Sequence, residues 1–306
     1  MAQLIKLQDY VSRYERDIFR YPGQFIRLKK ENYDGIKQQW IRQREWDHIE
    51  SDVDEDEEAR QDKKDTFFKR LFKKHEDDEP FETIDHSVPK LPDNEDELKQ
   101  DFLDRIFHFQ LKWASSTLQE VSFLDRVFER DSRLKYFLTR FPDTFLLFYK
   151  PIFKLNKALL EGDIILVTPT SIVCIYWLDH EEEAVFEAVD QRKWIQRLDG
   201  KEESIVNPNT ALKRMEGAVR SILNHHDIDY TIEKVVLAPN GRIQYHHLPY
   251  QTKYIDQSNY ESWFSHHRSV TTPLKHQQLK AAGALLEHTQ TTSIRRPEWE
   301  DVEDDF

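Results

Sequence analysis

From residue 94 onward, apolar positions recur at helical spacing. Leu98, Phe102, Ile106, Phe109, Trp113, Leu118, Val121, Leu124 and Phe128 form one stripe, with the three-to-four-residue period of a helix face. Asp93 or Asn94 supplies an N-cap, and Glu95, Asp96 and Glu97 suit a first turn, where the helix dipole favours acids. One long helix is predicted, running to about Phe128 or beyond, with Pro142 ending the helical region. The pattern then changes to short runs rich in β-branched and aromatic residues. Residues 144–153, 163–168 and 171–178 read as three strands, the last two joined by a hairpin turn at Pro169-Thr170. Residues 184–189 and 194–198 read as a more exposed hairpin. Asn207-Pro208 opens a helix over 209–224, with Leu212, Met215, Val219 and Leu223 on one face and proline in the first turn. Residues 232–238 read as a further strand, closed by the turn Pro239-Asn240-Gly241.

The flanks are more polar. Leu4, Leu7, Tyr10, Val11, Tyr14, Ile18 and Phe19 recur at helical spacing, Tyr21-Pro22-Gly23 interrupts, and Ile26, Tyr33, Ile36, Trp40 and Ile41 resume among lysines and arginines. This predicts an N-terminal helical hairpin over 1–46, basic on its exposed side, either an arm for nucleic acid or a partner or simply solvated helix faces. Residues 47–92 are dominated by charge blocks, which bury too little apolar area to offset chain entropy. They read as a disordered acidic linker. Within it, residues 63–74 set Phe67, Phe68, Leu71 and Phe72 among basic residues. That amphipathic island suits a protein partner's groove or an anionic membrane surface. An α/β domain is expected over 93–250 and a polar extension over 251–294, with weak helical signals near 260–264 and 274–286. The acidic tail, 295–306, reads as disordered and as a second candidate for a protein partner.

Composition narrows this picture. Of the 306 residues, 38% are hydrophobic and 33% charged, so part of the chain is expected outside any core. Cys174 is alone, so no internal disulfide can form and a reducing compartment is expected. In its apolar run it reads as a small buried residue. The first residues lack a continuous apolar segment, and no run is long enough to span a bilayer. A cytoplasmic protein without an integral membrane segment is therefore expected. Net charge is −13, which opposes a uniformly basic nucleic-acid binder. The excess acid lies in the linker and the tail, however, while 102–295 is balanced, so charge leaves nucleic-acid binding by that part open.

Three histidine pairs stand out: His225-His226, His246-His247 and His266-His267. Histidine is a common metal ligand, but neighbours on a helix or strand point apart, and no His-x3-His or HExxH spacing occurs. The pairs give a zinc site little support. Neither GxxxxGK[ST] nor GxGxxG nor GxSxG occurs, so nucleotide-driven chemistry and a nucleophile elbow have no sequence support.

The order helix, three strands, helix, strand resembles the core of the PD-(D/E)xK nuclease fold. The segment from Gly162-Asp163 through Ile164–Val167 to Pro169-Thr170, followed by the strand with Tyr176-Trp177-Leu178, resembles the nuclease-related (NERD) domain. Trp194 and the Asn207-Pro208 helix fit that pattern too. Almost end to end, the chain is similar to nuclease-related-domain proteins of spore-forming bacteria. The resemblance implies a restriction-endonuclease-like α/β fold, with Asp163 as metal ligand and catalytic acid at the mouth of a strand and Glu120 as a helical carboxylate. It also implies a Glu-x-Lys element whose two positions are held here by Tyr176 and Leu178. Tyrosine is a poor Mg2+ ligand, and leucine cannot stabilise a phosphoryl oxygen. Two readings of this site remain, beside a third in which the chain is a membrane-surface or scaffolding protein acting through Lys63–Lys74. In one the site is degenerate, no cofactor is used, and the fold binds nucleic acid or protein. In the other it is a nuclease using Mg2+ or Mn2+, with migrated groups drawn from Glu161, Asp179, Lys150 and Lys213.

Overall fold

The computed structural model describes residues 1–50, 92–155, 158–178 and 184–296. They fall into two compact units, Arg27–Ile106 and Met1–Ile26 with Phe107–Phe306. The chain opens with strand β1 (Gln3–Leu7), then helices α1 (Tyr21–Glu50) and α2 (Glu95–Trp113), strand β2 (Glu120–Val121) and helix α3 (Ser132–Arg140). Strands β3 (Leu146–Tyr149), β4 (Ile152–Leu155), β5 (Ala158–Glu161), β6 (Ile164–Val167) and β7 (Ser171–Trp177) follow. Next come β8 (Val185–Glu187), β9 (Lys193–Leu198), β10 (Lys201–Val206) and helix α4 (Pro208–His225). The remaining elements are β11 (Thr231–Ala238), β12 (Arg242–Gln244), β13 (Thr252–Asp256), helices α5 (Tyr260–Arg268) and α6 (His276–Glu287), and β14 (Ile294–Arg295).

The larger unit is a mixed α/β structure around a six-stranded sheet ordered β1-β3-β6-β7-β11-β13. β3, β6 and β7 form an antiparallel meander. β1 joins β3, β11 joins β7 and β13 joins β11, all in parallel. Alternation sorts the side chains. Leu147, Tyr149, Ile164, Leu166, Val173, Ile175, Val235 and Leu237 share a core with Leu134, Phe137 and Leu138 of α3 and Trp263 and Phe264 of α5. α4 packs on β7 and β11, and α6 packs on β6 and on α4. Both faces of the sheet are thus covered, which is why its strands read as continuous apolar runs. A smaller sheet, β10-β9-β8-β12, carries the predicted exposed hairpin. Cys174 is fully buried, and burial pushes its thiol up to about 12, as suits a packing residue rather than a nucleophile.

In the smaller unit the α1 and α2 segments pack through Ile36, Trp40, Leu98, Phe102 and Ile106. The Tyr33 and Phe102 rings lie 5.1 Å apart, the Trp40 indole N–H donates to the Pro92 carbonyl at 2.7 Å, and Lys37 pairs with Glu95 at 2.9 Å.

Three expectations are corrected. The hairpin over 1–46 is instead a strand, a 3-10 turn at Arg13–Glu15 and one long helix. Tyr21-Pro22-Gly23 starts that helix rather than breaking it, because proline in a first turn forfeits no hydrogen bond. The long helix expected to reach Phe128 ends at Trp113. There the hydroxyls of Ser115 and Ser116 donate back to the carbonyls of Leu111 and Lys112 at 2.8 Å, and Thr117 Oγ1 accepts from the Glu120 amide at 3.0 Å. Such local bonds compete with the helix ladder. Finally, 251–294 is no appendage, since it supplies β13 at the sheet's edge and the buried helix α6. The island at 63–74, most of the linker and nearly all of the acidic tail lie outside the described residues. No described helix is long and apolar enough to cross a membrane.

Candidate functional site

β1 and β3 run parallel and both finish at the same end of the sheet, where β7 also finishes and β6 begins. The crevice outside strand carboxyl ends is where open α/β sheets bind ligands. Here it is a cleft of about 900 Å³ lined by Gln8, Arg133, Lys150, Glu161, Asp163 and Tyr176, with Ala211, Arg214 and Met215 along its wall. Each element contributes for a local reason. Gln8 follows β1 and Lys150 follows β3, and both hold a left-handed backbone, with φ of 44° and 51°. Left-handed non-glycine residues are uncommon and gather at functional sites. The Lys150 amide donates to the Asp163 carbonyl at 2.6 Å, which ties the end of β3 to the entry of β6. Arg133 belongs to the first turn of α3, and Ala211 and Arg214 to the first two turns of α4. The first turn of α3 therefore lies beside the cleft, where its dipole favours an anion, while α4 faces the cleft from Ala211 onward.

Asp163 is largely buried. Burial raises its carboxyl above the usual range. A hydrogen bond from the Trp177 amide and the charges of Arg133 and Lys150 partly offset this, while Asp131 adds to it. The Trp177 amide reaches Asp163 Oδ2 at 3.4 Å. Behind it, the Tyr149 hydroxyl donates to Asp131 Oδ2 at 2.7 Å, and Asp131 Oδ1 caps α3 through the Leu134 amide at 2.9 Å. Asp131 is thus engaged in holding α3 and Tyr149. The Lys150 ammonium lies 5.3 Å from the Tyr149 ring centroid and 5.8 Å from that of Phe128. The Arg133 guanidinium lies 5.8 Å from the Trp177 ring. Tyr176 is half-buried; burial first, then the Asp163 carboxylate, raises its phenol.

Of the residues singled out in the sequence, Asp163, Glu161, Lys150 and Tyr176 come together here. Leu178 is buried, and its amide donates to the Leu237 carbonyl at 2.9 Å. Glu120 is on no helix: it lies on β2, opposite Arg295 of β14. Lys213 lines a different depression, with Glu216, Arg220, Lys234 and Tyr250. Asp179 lies outside the described residues. Arg133 and Arg214 were missed. Arg214 follows Lys213 directly, and helical geometry alone turns one residue to the cleft and its neighbour away.

A divalent cation of the nuclease type needs at least two carboxylates on neighbouring strands and oxygen ligands throughout. Asp163 meets Tyr176 across the strand pair instead, and three basic side chains border the cleft. Among the described residues, no three side chains of the acid, histidine or cysteine type converge at Asp163. Glu161 is the one other carboxylate lining the cleft among the described residues. Arg133, Lys150, Arg214 and the Tyr176 phenol are groups that bind phosphate, and the carboxyls of Glu161 and Asp163 oppose it.

No family model matches the chain, and no solved structure matches it. One curated protein, an RNA 2',3'-cyclic phosphodiesterase of Geobacillus stearothermophilus, is 34% identical over 113 residues. The match takes in 36% of this chain and 36% of that protein, so the chain covers about a third of the length of the relative it matches.

Proposed function

We propose that the chain is a nucleic-acid-binding module on a restriction-endonuclease-like frame, with a cleft that grips phosphates without a catalytic metal. The element order supports the frame: α3, the meander β3-β6-β7, α4, and β11 parallel to β7. In this reading the short α3 takes the place of the long helix expected from residue 94 to open the nuclease-related order. The observation that carries the functional reading is the company Asp163 keeps. Arg133, Lys150 and Arg214 border the cleft around this buried carboxyl, and Tyr176 and Leu178 occupy the Glu-x-Lys positions. Arginine forks match phosphate oxygens bidentately, and lysine adds a point charge. Neutralising phosphates releases counterions, which drives binding.

A second reading, phosphodiester hydrolysis with a rearranged site, draws on Glu161 sharing the cleft with Asp163 and on the partial similarity to the G. stearothermophilus cyclic phosphodiesterase. The two readings separate in one assay. Supercoiled plasmid and a single-stranded RNA are incubated with the full chain in Mg2+ or Mn2+, beside Asp163→Ala. Binding without cleavage is expected for both proteins. Cleavage by the wild type that is lost in Asp163→Ala would overturn the non-catalytic reading.

A further inference from the structure

The far end of α4 carries a second constellation. His225 closes the helix and His226 is its C-cap, with φ −100° and ψ 10°. At that point the chain leaves the helix, so the rule that neighbouring side chains point apart no longer holds. The two imidazoles lie 5.2 Å apart between centroids. His288, the C-cap of α6, brings a third ring to 5.7 Å from His225 and 5.1 Å from His226. One nitrogen from each ring can be chosen so that all three lie within 4.8 Å of one another, and no other such trio of His, Cys, Asp or Glu occurs among the described residues.

We infer that His225, His226 and His288 form a three-histidine site for a borderline divalent cation, Zn2+ foremost, which ties the C-terminus of α4 to that of α6. Four observations support this. His288 Nδ1 lies 3.0 Å from the Ala284 carbonyl. A carbonyl only accepts, so Nδ1 carries the proton and Nε2 is left as the ligand atom, the tautomer fixed as in zinc sites. His226 Nε2 is enclosed and has no hydrogen-bond partner, a costly state for a polar atom that a metal bond would relieve. Glu287 Oε2 lies 3.8 Å from that nitrogen and can supply the fourth position, or leave it to water. Finally, two helices end here, and the partial negative charge of both C-termini favours a cation. Ligand nitrogens on one tetrahedral zinc stand about 3.3 Å apart for Zn–N bonds of about 2.0–2.1 Å. Rotation of the side chains, His225 being exposed, closes the remaining gap. Imidazole rather than carboxylate ligands select Zn2+ over Mg2+ or Ca2+. The site is separate from the cleft and independent of its reading.

The test uses the full chain, stripped with a chelator and titrated with Zn2+ alone by calorimetry and with Co2+ alone by visible absorption. Melting temperature is followed with and without Zn2+. One Zn2+ per chain is expected, with a raised melting temperature and d–d bands of tetrahedral intensity for Co2+. His225→Ala and His288→Gln should each weaken Zn2+ binding at least 10-fold, while His246→Ala should leave it unchanged. Because His225 is exposed, its substitution tests the site even if His288→Gln unfolds the apo chain. Absence of stoichiometric Zn2+ binding, or binding equally tight in His225→Ala, would overturn the assignment.

Discussion

At Asp163 the fold keeps a carboxyl where burial disfavours its charge, which is a cost borne at neutral pH. With the folded pKa raised above the unfolded value, the folded state binds the extra proton in the window between them. Stability therefore falls as pH rises through that window, and the cost is fully present above it. Asp163→Asn keeps an acceptor for the Trp177 amide and removes the charge. It should melt at a higher temperature than the wild type at pH 7, and the gap should shrink as pH is lowered into the ordinary carboxyl range. Thermal melts across pH 4–8 check this; a variant less stable than wild type at pH 7 would show that the ionised form is the one the fold holds. At this scale the sequence was informative but incomplete. Asp163, Glu161, Lys150 and Tyr176 were legible because they flank strand ends. Arg133 and Arg214 were not, because their approach depends on how α3 and α4 dock, which no local pattern encodes. The histidine trio was hidden for the same reason: His288 is 62 residues beyond His226 in numbering, and only the contact between α4 and α6 brings them together.

Among the elements, those with a clean period and a firm boundary were legible: β6, β7, β11, and α4 with its Asn207 cap and Pro208. The Asn207 side chain accepts from the Asn209 amide at 2.9 Å, as that boundary implied. β1 was misread because Leu4, Leu7, Val11, Tyr14 and Ile18 mimic a helical stripe, while all five β1 residues are buried, Lys6 included. The Lys6 ammonium is satisfied by Glu15, by the Tyr10 carbonyl at 2.8 Å and by Thr291 Oγ1 at 2.8 Å, the last of these far along the chain. α6 was read as part of a polar extension because its amphipathic signal includes Gln278. That side chain is fully buried; its amide donates to the Thr144 carbonyl at 2.6 Å and the Val167 carbonyl at 2.9 Å, stitching α6 to β6 and to the entry of β3. Gln278→Ala takes the donor from the buried Val167 carbonyl and the partly buried Thr144 carbonyl and should cost on the order of 2 kcal/mol. Urea unfolding with an unchanged slope would register it as a stability loss; a change below about 0.5 kcal/mol would mean that α6 is not held this way.

For the whole molecule, the cleft and the histidine trio lie toward opposite ends of α4, so one helix links the crevice around Asp163 to a candidate metal clamp. The larger unit is built from both ends of the described chain, with β1 and β13 forming the two edges of one sheet. The acidic excess of the full chain lies in segments remote in sequence from α3 and α4. The most direct measurement is the salt dependence of binding to a labelled single-stranded oligonucleotide, followed by anisotropy for wild type and for Lys150→Glu/Arg214→Glu. The account predicts wild-type affinity that falls steeply with salt, by a log–log slope of about 0.7 per phosphate contacted. The double variant should bind at least 10-fold more weakly at low salt, with the slope reduced by at least one contact. Identical slopes and affinities for the two proteins would contradict it.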